Sequence, residues 1–164
     1  MNEHGPREKQ KARCAILTVS DSRSLETDES GKTITMLLQT NGHSVDHYKI
    51  VKNNPVALKE EISRLLDSEL DLIITTGGTG ISRRDLTIES VEGMLEKSLN
   101  GFGELFRYLS YREIGPRALM TRALGGVVKG KILFALPGST HAVEMALREL
   151  ILPELGHLLW EANR

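Results

Sequence analysis

Residues 72–85 read Leu-Ile-Ile-Thr-Thr-Gly-Gly-Thr-Gly-Ile-Ser-Arg-Arg-Asp, and they combine the residue types an anion site needs. Gly77, Gly78 and Gly80, with Thr79 between them, let the backbone turn sharply and bring its N–H groups near phosphate oxygens. Arg83 and Arg84 add fixed positive charge. Asp85 is a candidate catalytic group and Mg²⁺ ligand, because magnesium takes one or two carboxylates alongside phosphate oxygens. The glycines are not a Walker A loop, since no Gly-Lys-Ser/Thr follows them. Nor are they the dinucleotide fingerprint, because Arg83 stands where its last glycine is required. P-loop ATPases and nicotinamide dehydrogenases therefore drop out. The bland readings are a tight strand-to-helix turn, a solvated arginine pair and a helix cap formed by Asp85 or Thr87.

Two other segments fall at corresponding places. Ser20-Asp21-Ser22 follows the apolar run 15–19. Pro137-Gly138-Ser139 follows 131–136 and leads into a helix, whose N-terminus suits an anion. Each alone reads as a turn. Together with the glycine loop they would share one edge of a parallel sheet, where such sheets bind ligands.

That arrangement depends on the elements between them. Residues 15–19, 43–51 and 70–76 read as strands, as do 119–128 and 131–136. Gly125, Gly126 and Gly130 are candidate bends. Helical spacing covers 30–42, closed by Asn41-Gly42, and a second helix opens at Asn54-Pro55. A short helix starts near Thr87. Another runs from 101 to about 115, with Phe102, Leu105, Phe106 and Leu109 as its apolar stripe. The last presents Val143, Ala146, Leu147, Leu150 and Ile151, and Pro153 is expected to end or kink it. Strands alternating with helices predict an α/β fold with helices on both faces of a mostly parallel sheet.

The 164 residues suit one domain over 13–164, after a polar tail at 1–12 that carries no signal-peptide core. A net charge of -1 gives no reason to expect nucleic-acid or membrane binding. No apolar run approaches the roughly 20 residues that cross a bilayer, so a cytoplasmic protein is expected. Cys14 is the single cysteine, which excludes an intrachain disulfide, and it should be buried and inert. His43, His47, His141 and His157 read as surface residues, without a metal-binding motif.

Four segments resemble the molybdenum cofactor biosynthesis proteins of the MoaB/MogA type. They are Leu17-Thr18-Val19-Ser20-Asp21-Ser22-Arg23, residues 75–85, Gly101-Phe102-Gly103-Glu104-Leu105-Phe106-Arg107 and Leu136-Pro137-Gly138-Ser139. Ser110-Tyr111-Arg112-Glu113-Ile114-Gly115 is closest to the MoaB branch. The resemblance implies a three-layer α/β/α sandwich that binds molybdopterin and assembles as a trimer or a hexamer of trimers. In the MogA-like branch it also implies ATP- and Mg²⁺-dependent adenylylation of molybdopterin. Two carboxylates matter for that step. One matches Asp85, and the other corresponds here to Asn53, a neutral residue and poorer Mg²⁺ ligand. The resemblance thus implies pterin binding more directly than turnover.

Overall fold

In the β1 strand (Arg13–Val19), every residue after Arg13 is buried, so neighbours must cover both its edges and both its faces. A computed structural model describes residues 10–164 and supplies those neighbours. Six strands form one sheet in the order β2-β1-β3-β6-β5-β4. They are β1, β2 (Ser44–Val51), β3 (Leu72–Thr76), β4 (Lys97–Ser98), β5 (Leu124–Val128) and β6 (Lys131–Leu136). The first four in spatial order, β2, β1, β3 and β6, run parallel. Antiparallel pairing joins β5 to β6 and β4 to β5. Thr18 lies beside Thr76, and Thr76 beside Leu136, so β1, β3 and β6 end level. That register brings the three candidate loops to one height on one edge.

The period of two along each strand divides the core. Cys14, Ile16, Leu72, Ile74, Ile132 and Phe134 face one way, toward α1 (Glu29–Thr40), α4 (Asn100–Ile114) and the C-terminal helix. Ala15, Leu17, Ile73, Leu133 and Ala135 face the other way, toward α2 (Pro55–Leu66) and α3 (Thr87–Glu92). The result is the expected three-layer α/β/α sandwich. Helix starts follow local chemistry. The Asn54 side chain accepts hydrogen bonds from the N–H groups of Val56 and Ala57, with Pro55 at the first helical position.

Several expectations change in the structure. Residues 119–123 are not strand. Gly115–Met120 form a 3₁₀ turn, entered through Gly115 at φ +63° and Pro116, and pairing begins only at Leu124. Gly125 and Gly126 lie within β5 rather than at bends. A Cβ on Gly125 would sit 2.5 Å from the Phe134 ring, so its bareness lets Phe102 and Phe134 pack on the strand. Gly130 does turn, together with Lys129, in the two-residue β5–β6 hairpin where both have positive φ. Pro153 does not end its helix, and the expected irregularity takes the form of a π-helical turn. The chain runs from α5 (Thr140–Met145) through a π-helical turn (Ala146–Ile151) into α6 (Leu152–Asn163). The wide turn lies where the missing proline N–H would leave a carbonyl unpaired. Leu105 points to solvent, and Phe102 and Phe106 carry the buried stripe of α4.

At the other end of the chain, Ala12 is fully buried, donates to His43 Nδ1 and accepts from Ser44 N–H, so it belongs to the fold rather than the tail. Residues 1–9 lie outside the described residues. Burial pushes the Cys14 thiol up to about 12, which keeps it protonated. Among the described residues, no helix is long and apolar enough to cross a membrane.

Candidate functional site

The β3–α3 loop meets the ends of β1 and β6 because its glycines permit contacts that no side chain would. Gly77 has φ +98°, and a Cβ there would fall 2.5 Å from the Val19 carbonyl oxygen. Gly78 has φ +67°, and its Cβ would fall 2.3 Å from Thr87 Oγ1. A Cβ on Gly138 would lie 3.3 Å from Gly77 Cα. The Gly77 N–H donates to the Leu136 carbonyl at 3.0 Å, and Thr76 Oγ1 donates to the Pro137 carbonyl at 2.9 Å. These two bonds tie the ends of β3 and β6 together, and the pairing of Thr18 with Thr76 holds the end of β1 beside them.

A cleft of about 490 Å³ opens between them. Ser20, Gly77, Gly78, Thr79, Gly80, Asp85, Pro137 and Gly138 all line it, as the sequence suggested. Four other candidates stand apart from the lining. Asp21 accepts from the Asn53 N–H at 3.0 Å and lies 3.7 Å from Arg84 Nη2. Arg84 is thereby a solvated partner of Asp21, with its side chain 80% exposed. Arg83 is exposed beside it. Ser139 caps α5, its hydroxyl accepting from the Ala142 N–H. The arginine pair therefore sits in a solvated loop and stays out of the cleft. Asn53 also lies outside the lining, with its amide donating to the Arg84 carbonyl at 2.8 Å.

Asp85 does not cap α3, which begins after Leu86 without a side-chain cap. Its Oδ2 instead accepts from Ser82 N–H at 3.1 Å and Ser82 Oγ at 2.7 Å. Oδ1 takes no hydrogen bond among the described residues. Gly80 makes room for this carboxylate, since a Cβ there would lie 2.6 Å from Oδ2. Asp85 can offer one oxygen to a cation whose remaining ligands are phosphate oxygens and water. No group of three His, Cys, Asp or Glu able to hold a metal occurs among the described residues.

Two further arginines line the cleft: Arg122, which sequence reasoning passed over, and Arg23, which it carried within the segment 17–23 without singling it out. Arg122 donates from Nε to the Thr79 carbonyl at 3.0 Å and from Nη2 to the Gly80 carbonyl at 2.6 Å. Its Nη1 pairs with Glu89, and that hydrogen bond holds the Glu89 carboxyl below its ordinary range. Arg122 therefore braces the glycine loop. It escaped notice because 119–128 reads as one strand, in which its side chain would simply alternate outward.

Arg23, the second, sits on the Ser20 loop and donates from Nη1 to the Gly138 carbonyl at 3.2 Å. Behind it lies Asp28, fully buried at the start of α1. Burial works to raise the Asp28 pKa. Hydrogen bonds from Thr18, Tyr48 and the Gly31 N–H, with the charge of Arg23, outweigh burial and lower it. A polar site thus backs onto an ionised, fully bonded carboxylate.

Residues 15–157 match the family described as "Probable molybdopterin binding domain". Molybdenum cofactor biosynthesis protein B of Staphylococcus aureus (strain COL) is 50% identical over 155 residues, covering 93% of this chain and 92% of that protein. A crystal structure of a molybdenum cofactor biosynthesis protein B superposes with a TM-score of 0.93 at 46% identity, covering 95% of this chain and 98% of the other. The tungsten cofactor synthesizing protein MoaB of Pyrococcus furiosus superposes at 0.85 with 37% identity, covering 94% and 99%.

Proposed function

The chain belongs to the molybdopterin-binding domain family and, within it, to the MoaB proteins of molybdenum cofactor biosynthesis, and from that premise we propose that its cleft binds molybdopterin. The observation that carries this reading is the convergence of the β1, β3 and β6 loops on one cleft lined by glycine backbone, Ser20 and Asp85. Glycine-loop N–H groups suit the pterin's phosphate, and a cleft of about 490 Å³ is the size of an ordinary small-molecule site. Titrating the protein with molybdopterin tests the proposal. Saturable binding is expected, and its absence from folded protein refutes it.

Binding without adenylyl transfer is the form of this function that the geometry supports best. Adenylyl transfer would join a molybdopterin phosphate oxygen to the α-phosphorus of ATP and release pyrophosphate. It needs positioned phosphates and neutralised charge more than a protein nucleophile. Asp85 Oδ1 favours this second reading, since it could help hold Mg²⁺, which would neutralise phosphate charge. Against it, Asn53 occupies the second carboxylate's place and its amide is already bonded to the Arg84 carbonyl. With ATP and Mg²⁺ the wild type is expected to form no adenylylated product, and Asn53→Asp is the variant to compare.

The proposal extends to assembly as a homotrimer or homohexamer. Leu105, Tyr108, Tyr111, Ile114, Leu119 and Met120 are large, apolar and exposed along α4 and the turn after it. Met120 also lines the cleft, so a second copy on this strip would stand beside the ligand.

A further inference from the structure

The Asp28 carboxylate is bonded far beyond what capping a helix requires. Capping α1 needs only the Gly31 N–H, which reaches Oδ1 at 3.1 Å. Oδ2 also accepts from Thr18 Oγ1 on β1 at 2.6 Å and from the Tyr48 hydroxyl on β2 at 2.5 Å. Gly31 has no side chain at the place where a Cβ would lie 2.2 Å from that hydroxyl. Two strands and a helix therefore hold one buried anion in a fixed orientation. Desolvating a carboxylate is expensive, and a solvated cap such as Ser139 or Asn54 avoids the expense. The remaining direction of Oδ1 points to Arg23, whose Nη1 lies 3.5 Å away.

Arg23 is held on one side only. Its side-chain contacts with Asp28, Ser30 Oγ and the Gly138 carbonyl all run through Nη1. Nε and Nη2 make no hydrogen bond among the described residues. The side chain is 39% exposed and lines the cleft, so one side of the guanidinium is tied down and the other is free at the opening. A guanidinium presents its N–H groups as a rigid fork matched to two oxygens of a phosphate or carboxylate. Arg122, by contrast, has all three nitrogens committed to Thr79, Gly80 and Glu89.

We propose that Arg23 is the residue of this cleft that binds the ligand's phosphate, and that Asp28, Thr18 and Tyr48 are positioning residues that aim it. This deepens the molybdopterin-binding reading and rests on it for the identity of the ligand. Arg23→Lys keeps the charge and loses the fork. Tyr48→Phe keeps the ring and removes one of the bonds that orient Asp28.

The experiment measures affinity for inorganic phosphate and for molybdopterin in the wild type, both variants and the double variant. The side-chain Nε–H resonance of Arg23 is followed by NMR during the phosphate titrations of the wild type and Tyr48→Phe. Expected results are a phosphate-dependent shift of that resonance, a loss of about tenfold in affinity in Arg23→Lys and about threefold in Tyr48→Phe. The double variant should match Arg23→Lys within about twofold, because Tyr48 acts through Arg23. A purely structural Tyr48 would lower stability and leave affinity alone. Additive losses overturn the positioning role, and an unshifted Arg23 resonance or an undiminished Arg23→Lys overturns phosphate binding. Phosphate binding through Arg23 without any binding of molybdopterin sinks the functional reading and spares this one. Molybdopterin binding indifferent to Arg23 does the reverse.

Discussion

Gly77→Ala should be far more damaging than its single added methyl suggests, and Gly42→Ala provides the matched control. Both glycines have positive φ, +98° and +87°. An alanine at either position meets the left-handed backbone penalty of roughly 1–2 kcal/mol. At Gly42 nothing lies within 4 Å of the new Cβ, so that penalty is the whole cost. At Gly77 the Cβ falls 2.5 Å from the Val19 carbonyl oxygen, which is backbone of a strand buried between two neighbours. That oxygen cannot rotate away. The loop must move instead, stretching the Gly77 N–H bond to Leu136, and such overpacking costs about 1–3 kcal/mol more. Gly77→Ala should therefore lose about 2–5 kcal/mol in all, about 1–3 kcal/mol more than Gly42→Ala. Urea unfolding followed by circular dichroism measures both, with an unchanged m-value licensing the comparison. Thermal midpoints should separate by about 4–8 °C for a chain of this size. Equal losses in the two variants would show that the β1–β3 contact is soft, and the account of a rigid cleft would fail. Molybdopterin affinity should fall in Gly77→Ala and hold in Gly42→Ala.

Two further predictions test other parts of the molecule. Glu61 accepts from Arg64 and lies beside Lys49, which together hold its carboxyl at about 2 against an ordinary 4.5. A depressed folded pKa gives stability that is complete above about pH 4.5 and fades as the pH falls toward 2, so Glu61→Gln should flatten the acid limb of a stability–pH curve in that window. The apolar strip predicts a trimeric or hexameric mass in light scattering, and Leu119→Glu, at a side chain 87% exposed, should reduce that mass without lowering the monomer's own stability.

Much of the fold was legible because its signals are local. Apolar runs marked the buried strands, and Asn54-Pro55 and Asn41-Gly42 marked helix ends that the structure reproduces. The errors arose where tertiary contacts outweigh local pattern. Gly125 and Gly126 look like bends in sequence, and only the rings and side chains packed against them show why a straight strand needs them bare. Pro153 looks like a stop, and only the preceding π-helical turn explains how the helix passes through it. At the site, Gly77 and Gly78 were legible because their positive φ and close contacts favour glycine alone. Arginines announce charge without saying where it goes. Arg83 and Arg84 drew attention by adjacency and lie in solvent, whereas Arg23 bonds to Gly138, 115 residues further along the chain, and Arg122 to Thr79, 43 residues back.

That contrast bears on how the cleft is organised. A backbone loop at a strand end has its carbonyls as well as its N–H groups near the ligand, and carbonyl oxygens repel an anion. Arg122 neutralises this by drawing the Thr79 and Gly80 carbonyls onto its own guanidinium. Ser30 and Arg23 do the same for the Gly138 carbonyl, at 2.6 and 3.2 Å. In a trans peptide the carbonyl and the following N–H point opposite ways, so fixing the three oxygens also fixes the directions of the Gly80, Ile81 and Ser139 N–H groups. The glycines make the sharp turns possible, and the arginines decide which side of each peptide is free for the ligand. A glycine-loop site read from glycines alone is for this reason half specified.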